Sequence, residues 1–381
     1  MSIKSVNDFY SEALLPLSPR PELVPLLKAI INCGETTRDF VWALRNDRDL
    51  QKWLRQTVVA MGFETQKLGL EQVITLIGQD KVRDILLGRA IEQAFVPESE
   101  TLMARHYKGK KKPATSEDGG EEEGGEAPPI AEFASYLVYS KRAEEIANAI
   151  RNSYPWQAFV GGLLFDYLYY YLKSRKVEST EGLERADLKN SKNYLDAIFT
   201  EGLRSAIAAT EVLQKISIKH QKNVFVTALL HNCGQPIQFG FDPLSFQSLM
   251  NDVDQRRGVG VSIDAPTLEA KYFTFDHAQI ASLFIGRLPF LQEIDRVLDY
   301  VHSPRVLRMR DSNLYALHCV IKIGSDLAKL FQTERSKQSD IQKIDDKQIR
   351  DTEEFGFLKL NADEWKTIKS NFALKIMKAS L

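Results

Sequence analysis

The sequence predicts an all-α protein, and three observations carry that prediction. Apolar residues recur at i, i+3, i+4 and i+7 along most of the chain, which is the stripe one buried helix face needs. No sustained two-residue alternation marks a half-buried strand. Glycines close several of the periodic runs, as at Gly34 and Gly78, where a helix C-terminus favours them. With 381 residues, 44% of them apolar, the chain can bury a substantial core in two domains or one large one.

The elements follow in order. Pro16, Pro19, Pro21 and Pro25 make residues 16–25 an extended lead-in. A helix starting near Glu22 buries Leu23, Leu26, Leu27, Ile30 and Ile31, and Gly34 ends it. Further helices are expected at about 36–46, 48–60, 70–78 and 80–95, with Asp80 placed to cap the last. Residues 108–129, KGKKKPATSEDGGEEEGGEAPP, contain no large apolar side chain. Such a segment cannot offset its ordering entropy, so a solvated disordered loop is expected there, with tryptic cleavage first at Lys110–Lys112.

Helical patterns resume at about 131–152 and 157–174, the second dense in aromatics that include Tyr167, Tyr170 and Tyr171. These aromatics are either core or a docking surface, because tyrosine is enriched among interface anchors. The run from Asp166 to Tyr171 puts aromatics on nearly every helix face, more than one core side can bury. More helices are expected at 193–216, 220–231, 268–287, 290–302, 312–331 and 363–378. In the last, Trp365, Ile368, Phe372 and Ile376 form a core-facing stripe, with Asp363 near the start. The words QRRGVGVS at 255–262 read as a solvated turn rather than a phosphate cradle.

Composition narrows the function. A formal net charge of −1 gives no reason to expect nucleic-acid binding. Three cysteines, Cys33, Cys233 and Cys319, without a CxxC pair, argue against structural zinc and a disulfide framework. The N-terminal residues lack a signal-peptide pattern. The most membrane-like run, 158–172, is broken by Asp166 and too short to span a bilayer. A cytoplasmic protein without membrane insertion is the expectation.

Three of the six histidines sit in suggestive words: His231 in LLHNCG, His277 in TFDHAQIASLF and His302 in DYVHSP. Asp326, in IGSDLAKLF, adds a carboxylate. Imidazoles and carboxylates on several helices of a bundle could hold a divalent cation and activate water. A histidine at a helix end can equally be a cap or a satisfied polar group.

The order of these words resembles the HDOD family, the HD-related output domains of bacterial signalling proteins. LPLSP at 15–19, the helix at 45–63 and the helix–glycine–helix unit at 68–87 are similar to its N-terminal part. IFTEGLRSAIAA at 198–209, VTALLHNCGQP, LEAKYFTFDHAQIASLFIGRLP at 268–289 and YVHSP are similar to its C-terminal part. The resemblance implies an HDOD-like helical bundle divided into residues 1–100, an N-terminal helical part, and 191–381, a degenerate HD-like part. Between them lie a flexible charged loop, 101–130, and an inserted helical segment, 131–190.

The resemblance also implies where the pocket departs from an HD-type hydrolase. Glu201 stands where a first ligand histidine would be, Asn232 where the central aspartate would be, and Val301 where a paired histidine would be. The last acidic position falls on Asp326 or, read without a gap, on Ser325. A neutral amide is a weak carbonyl donor and brings no charge. Hence Glu201, His231, Asn232, His277, His302 and Asp326 are read as a degenerate pocket with no metal, cofactor or catalytic residue assigned.

The resulting expectation is a non-catalytic signal-transduction or scaffold protein that binds another protein, such as a response regulator, with Tyr167, Tyr170 or Tyr171 as an anchor. The alternatives are a metal-dependent nucleotide or cyclic-dinucleotide phosphohydrolase, and a sensor holding a small ligand such as a nucleotide second messenger in the old pocket.

Overall fold

The computed structural model describes residues 37–45, 48–60, 63–64, 67–79, 82, 164–165, 168, 186–218, 224–258, 265–288, 294–334 and 345–378. The helices expected at 22–33 and 131–152, the helix expected at 80–95 apart from Val82, the loop at 108–129 and the three tyrosines lie outside these residues. The chain divides into two compact units, Pro19–Glu144 and Met1–Ser18 with Glu145–Leu381. Every described element is helical, with no strand among the described residues.

In the smaller unit the three described helices fall where the periodicity places them: α1 (Thr37–Leu44), α2 (Arg48–Ala60) and α3 (Leu70–Ile77). Phe40 and Leu44, one turn apart on α1, are buried with Leu54 and Val58 of α2 and Val73 and Ile74 of α3. The Gln72 side chain accepts from the Gly69 amide at 2.8 Å, closing the start of α3. Gly78 ends it with φ +83°, a backbone state that a side chain would resist.

The larger unit is built around α4 (Ala186–Leu213), which packs on α5 (Val224–Leu230), α12 (Ser312–Glu334) and α15 (Ala362–Lys378). All seven residues of α5 are buried. A helix apolar all round belongs in the interior, and α5 lies against both α4 and α12. The expected stripe on α15 is in the core, with Ile368, Phe372 and Ile376 fully buried and Trp365 nearly so. Leu164, Phe165 and Leu168 are also buried, and Phe165 meets Phe199 of α4 edge-on at 5.3 Å.

Several boundaries differ from the periodic reading, and local capping explains those at Asp276 and Asp242. Residues 268–287 form two helices, α8 (Ala265–Glu269) and α9 (His277–Ile285). Asp276 breaks the run: its carboxylate accepts from the Gln279 amide at 2.8 Å, while the Gln279 side chain accepts from the Asp276 amide at 3.2 Å. This reciprocal pair starts a new helix.

The sequence reading missed α6 (Gly234–Phe241) and α7 (Pro243–Gly258). Asp242 separates them by accepting from the Ser245 amide at 3.0 Å, and Pro243 sits at the first helical position. Residues 255–258, expected in a turn, are therefore the end of α7. The remaining elements are α10 (Ile294–Asp299), α11 (Pro304–Arg310), α13 (Lys347–Arg350) and α14 (Glu353–Leu358). Of these, α11, α13 and α14 were not anticipated. No described helix is long and apolar enough to cross a membrane.

Candidate functional site

A cavity of about 880 Å³ in the larger unit is lined by Glu201, His231, Asn232, His277, His302 and Asp326. The six pocket residues named from the sequence thus share one wall-to-wall space. They arrive there from α4, the end of α5, the start of α9, the turn before α11, and α12.

Glycines set two of these approaches. A Cβ on Gly234 would lie 1.9 Å from the His277 carbonyl oxygen, so only glycine lets the start of α6 touch that of α9. This contact brings the HNCG word to His277. A Cβ on Gly202 would lie 2.3 Å from the Leu229 carbonyl oxygen, so α4 can rest on the last turn of α5 and place Glu201 beside Asn232.

Two of the wall histidines, His231 and His277, are held by their Nδ1 atoms. His231 Nδ1–H donates to the Ala228 carbonyl at 2.7 Å, which satisfies the end of α5. Burial, and then the nearby Lys329 charge, lower its pKa to about 4, so the ring is neutral and Nε2 is an acceptor. Ser325 Oγ lies 3.5 Å from that Nε2, at the outer limit of a hydrogen bond.

His277 Nδ1–H donates to Glu269 Oε1 at 2.7 Å, and its backbone N–H donates to Glu269 Oε2 at 2.6 Å. Gln238 adds a third donor to Glu269 at 3.1 Å. Burial alone would raise the Glu269 carboxyl, but the His277 contacts outweigh it and hold the carboxyl below its ordinary value. Glu269 therefore fixes the ring, leaving Nε2 for the cavity. The His302 ring meets His277 edge-on at 5.2 Å.

The charged groups pair among themselves. Lys329 lies 3.4 Å from Glu201, whose carboxylate also accepts from the Asn232 amide at 3.2 Å. Lys322 pairs with Asp326 one turn away. Of the two candidates for the last acidic position, Asp326 thus faces a lysine while Ser325 faces His231.

A resident divalent cation does not fit these residues. Asn232 turns its NH2 group, a donor, toward Glu201, where a central ligand would present an oxygen to metal. Lys329 already brings positive charge to that carboxylate. Among the described residues no group of three or more His, Cys, Asp or Glu side chains is arranged to hold an ion.

Sequence reasoning missed several wall residues: His318, Glu269, Gln238, Lys322, Lys329 and Tyr194. Residues 318, 322, 325 and 329 all lie on one face of α12, so His318 could have been found by stepping back seven residues from Ser325. His318 is buried and stacks on Tyr315 at 6.0 Å, and burial lowers its pKa to about 4. Tyr194 donates to Gln235 at 2.8 Å, and burial pushes its hydroxyl well above the usual range.

The described elements form an all-α arrangement around a histidine-lined cavity. Residues 179–304 match the family model of the HDOD domain. The match takes in the LLHNCG, FDHA and YVHSP words. The N-terminal words at 15–19, 45–63 and 68–87 fall outside it.

Two solved structures are similar over nearly the whole chain. One, from Shewanella amazonensis and provisionally called a phosphohydrolase, is 13% identical, with 97% of this chain and 99% of that chain covered at a TM-score of 0.40. The other, the MmoQ response regulator from Methylococcus capsulatus, is 12% identical, with 93% and 97% covered at a TM-score of 0.35. Both likenesses are remote. No curated protein matches the sequence.

Proposed function

We propose that this chain is a non-catalytic HDOD-type signalling or scaffold protein that acts by binding another protein. The observation that carries the reading is the Lys329–Glu201–Asn232 arrangement. An ammonium and an amide satisfy the carboxylate that would otherwise help to charge a metal-activated water. For the partner surface the sequence supplies Tyr167, Tyr170 and Tyr171, which lie outside the described residues. Two measurements test the proposal. Protein supplied with Mn, Fe, Zn or Mg should show no phosphodiesterase activity above background. Alanine at one of the three tyrosines should weaken capture of the native partner by about 2 kcal/mol or more without changing folding stability. Turnover that disappears on His231→Ala would overturn the non-catalytic reading.

A second reading has its own support. A cavity of about 880 Å³ lies within the range of small-molecule sites, roughly 300–1,000 Å³. On this reading the domain holds a small ligand without turning it over, and occupancy governs partner binding.

A further inference from the structure

We infer that the cavity takes an uncharged organic ligand carrying hydroxyl or amide hydrogen-bond donors on a partly apolar body, and not an anion such as a nucleotide phosphate. This rests on the reading of the cavity as a ligand site and assigns its chemical class.

Charge comes first. The ionisable lysines and carboxylates on the wall are Lys322, Lys329, Glu201, Glu269 and Asp326. Lys322 is paired with Asp326, Lys329 with Glu201, and Glu269 with the His277 ring. An arriving phosphate would have to take a lysine from its carboxylate and then sit beside that carboxylate. An arriving ammonium would have to displace a lysine or the His277 ring. Either exchange breaks an existing ion pair or the hydrogen bonds that His277 and Gln238 give Glu269, and the phosphate also loses its hydration. An uncharged ligand disturbs none of these pairs.

Hydrogen bonding comes second. Gln238 is fully buried and commits its NH2 group to Glu269 and to the Phe275 carbonyl at 3.3 Å, while its Oε1 has no partner. His231 Nε2 has only the long approach of Ser325. Leaving such atoms unpaired costs about as much as a lost hydrogen bond, so the wall is short of donors. His231 Nε2 is the acceptor that a ligand hydroxyl or amide N–H can meet, whereas Gln238 Oε1 is itself closed to a water-sized group. The rest of the wall, including Ile198, Leu249, Leu268, Val301 and Ile321, is apolar and suits a ring or hydrocarbon face.

The test uses matched probes that differ only in a phosphate: adenosine, thymidine and N-acetylglucosamine, each against its own monophosphate, in calorimetric titrations of the full chain. At least one uncharged member should bind ten times or more tightly than its phosphate. Ala197 is exposed at the cavity wall, so Ala197→Trp should block entry and abolish that binding while the circular dichroism stays unchanged. Equal or tighter binding of the phosphates would refute the ligand class but leave the cavity as a ligand site. Binding by no probe of either charge would overturn the ligand-site reading itself. Binding that survives Ala197→Trp would place the ligand elsewhere and refute the assignment.

Discussion

Replacing Asp346 by alanine should be among the most destabilising single changes in the larger unit. Asp346 is 5% exposed, and its carboxylate joins two elements, α13 and α15. It accepts from Trp365 Nε1 of α15 at 2.7 Å and from Arg350 Nε of α13 at 2.6 Å, and it pairs with Lys369 Nζ of α15 at 2.7 Å. The Lys369 side chain is only 7% exposed. Alanine would leave that ammonium buried without a counter-charge, a defect that costs about 3–5 kcal/mol. The Arg350 side chain is half exposed, so its pairing adds under about 1 kcal/mol. The assay is urea unfolding followed by tryptophan fluorescence, to which Trp365 contributes from this junction among the chain's four tryptophans.

Asp346→Ala combined with Lys369→Met should recover most of the loss, because an apolar replacement for both partners leaves no buried charge. The pH dependence follows from the carboxyl. Burial alone would raise it, but its three partners hold it below its ordinary value. Its contribution is thus complete above about pH 4 and lost as pH falls through the lower folded value. A loss below about 1 kcal/mol, or a double variant no better than the single one, would refute the reasoning.

Three further outcomes are expected. His231 and His318 each have a pKa lowered to about 4, so the unfolded chain binds their protons first. Stability should therefore fall between pH 6.5 and 4 by on the order of 3 kcal/mol per ring, and His318→Phe should remove about one proton from that slope in urea titrations. Gly234→Ala forces a methyl against the His277 carbonyl and should cost about 1–3 kcal/mol or more, which thermal unfolding would show. Asn232→Asp with Lys329→Ala restores a carboxylate and removes the competing cation, so zinc retention by elemental analysis should rise above wild type. Unchanged retention would show that the Lys329 arrangement is not what disfavours metal.

The helix content was legible because most described helices bury a stripe that the side-chain spacing reveals, as on α15 from Trp365 to Ile376. Boundaries set by caps were harder to see. Asp276 and Gln279 stop an apolar run that periodicity alone carries through, and Asp242–Pro243 hides two helices in a stretch with little amphipathic contrast. The histidine words led to the cavity because a histidine at a helix end is conspicuous in sequence. Glu269, Gln238 and Lys329 stayed hidden because their roles depend on what lies across the space from them. Sequence separation between Glu201 and Lys329 gives no hint that they meet.

The lysine at that meeting has a consequence for how the protein behaves in its surroundings. The Glu201–Lys329 pair is partly open to solvent and adds little to folding. Yet the positive charge it brings to the pocket is covalently part of the chain and arrives when α12 folds against α4. A metalloenzyme must be loaded, can be loaded wrongly, and is stripped by chelators. On the proposed non-catalytic reading the carboxylate is neutralised at synthesis, and the state of the pocket would then be independent of metal supply and of competition from chelating metabolites.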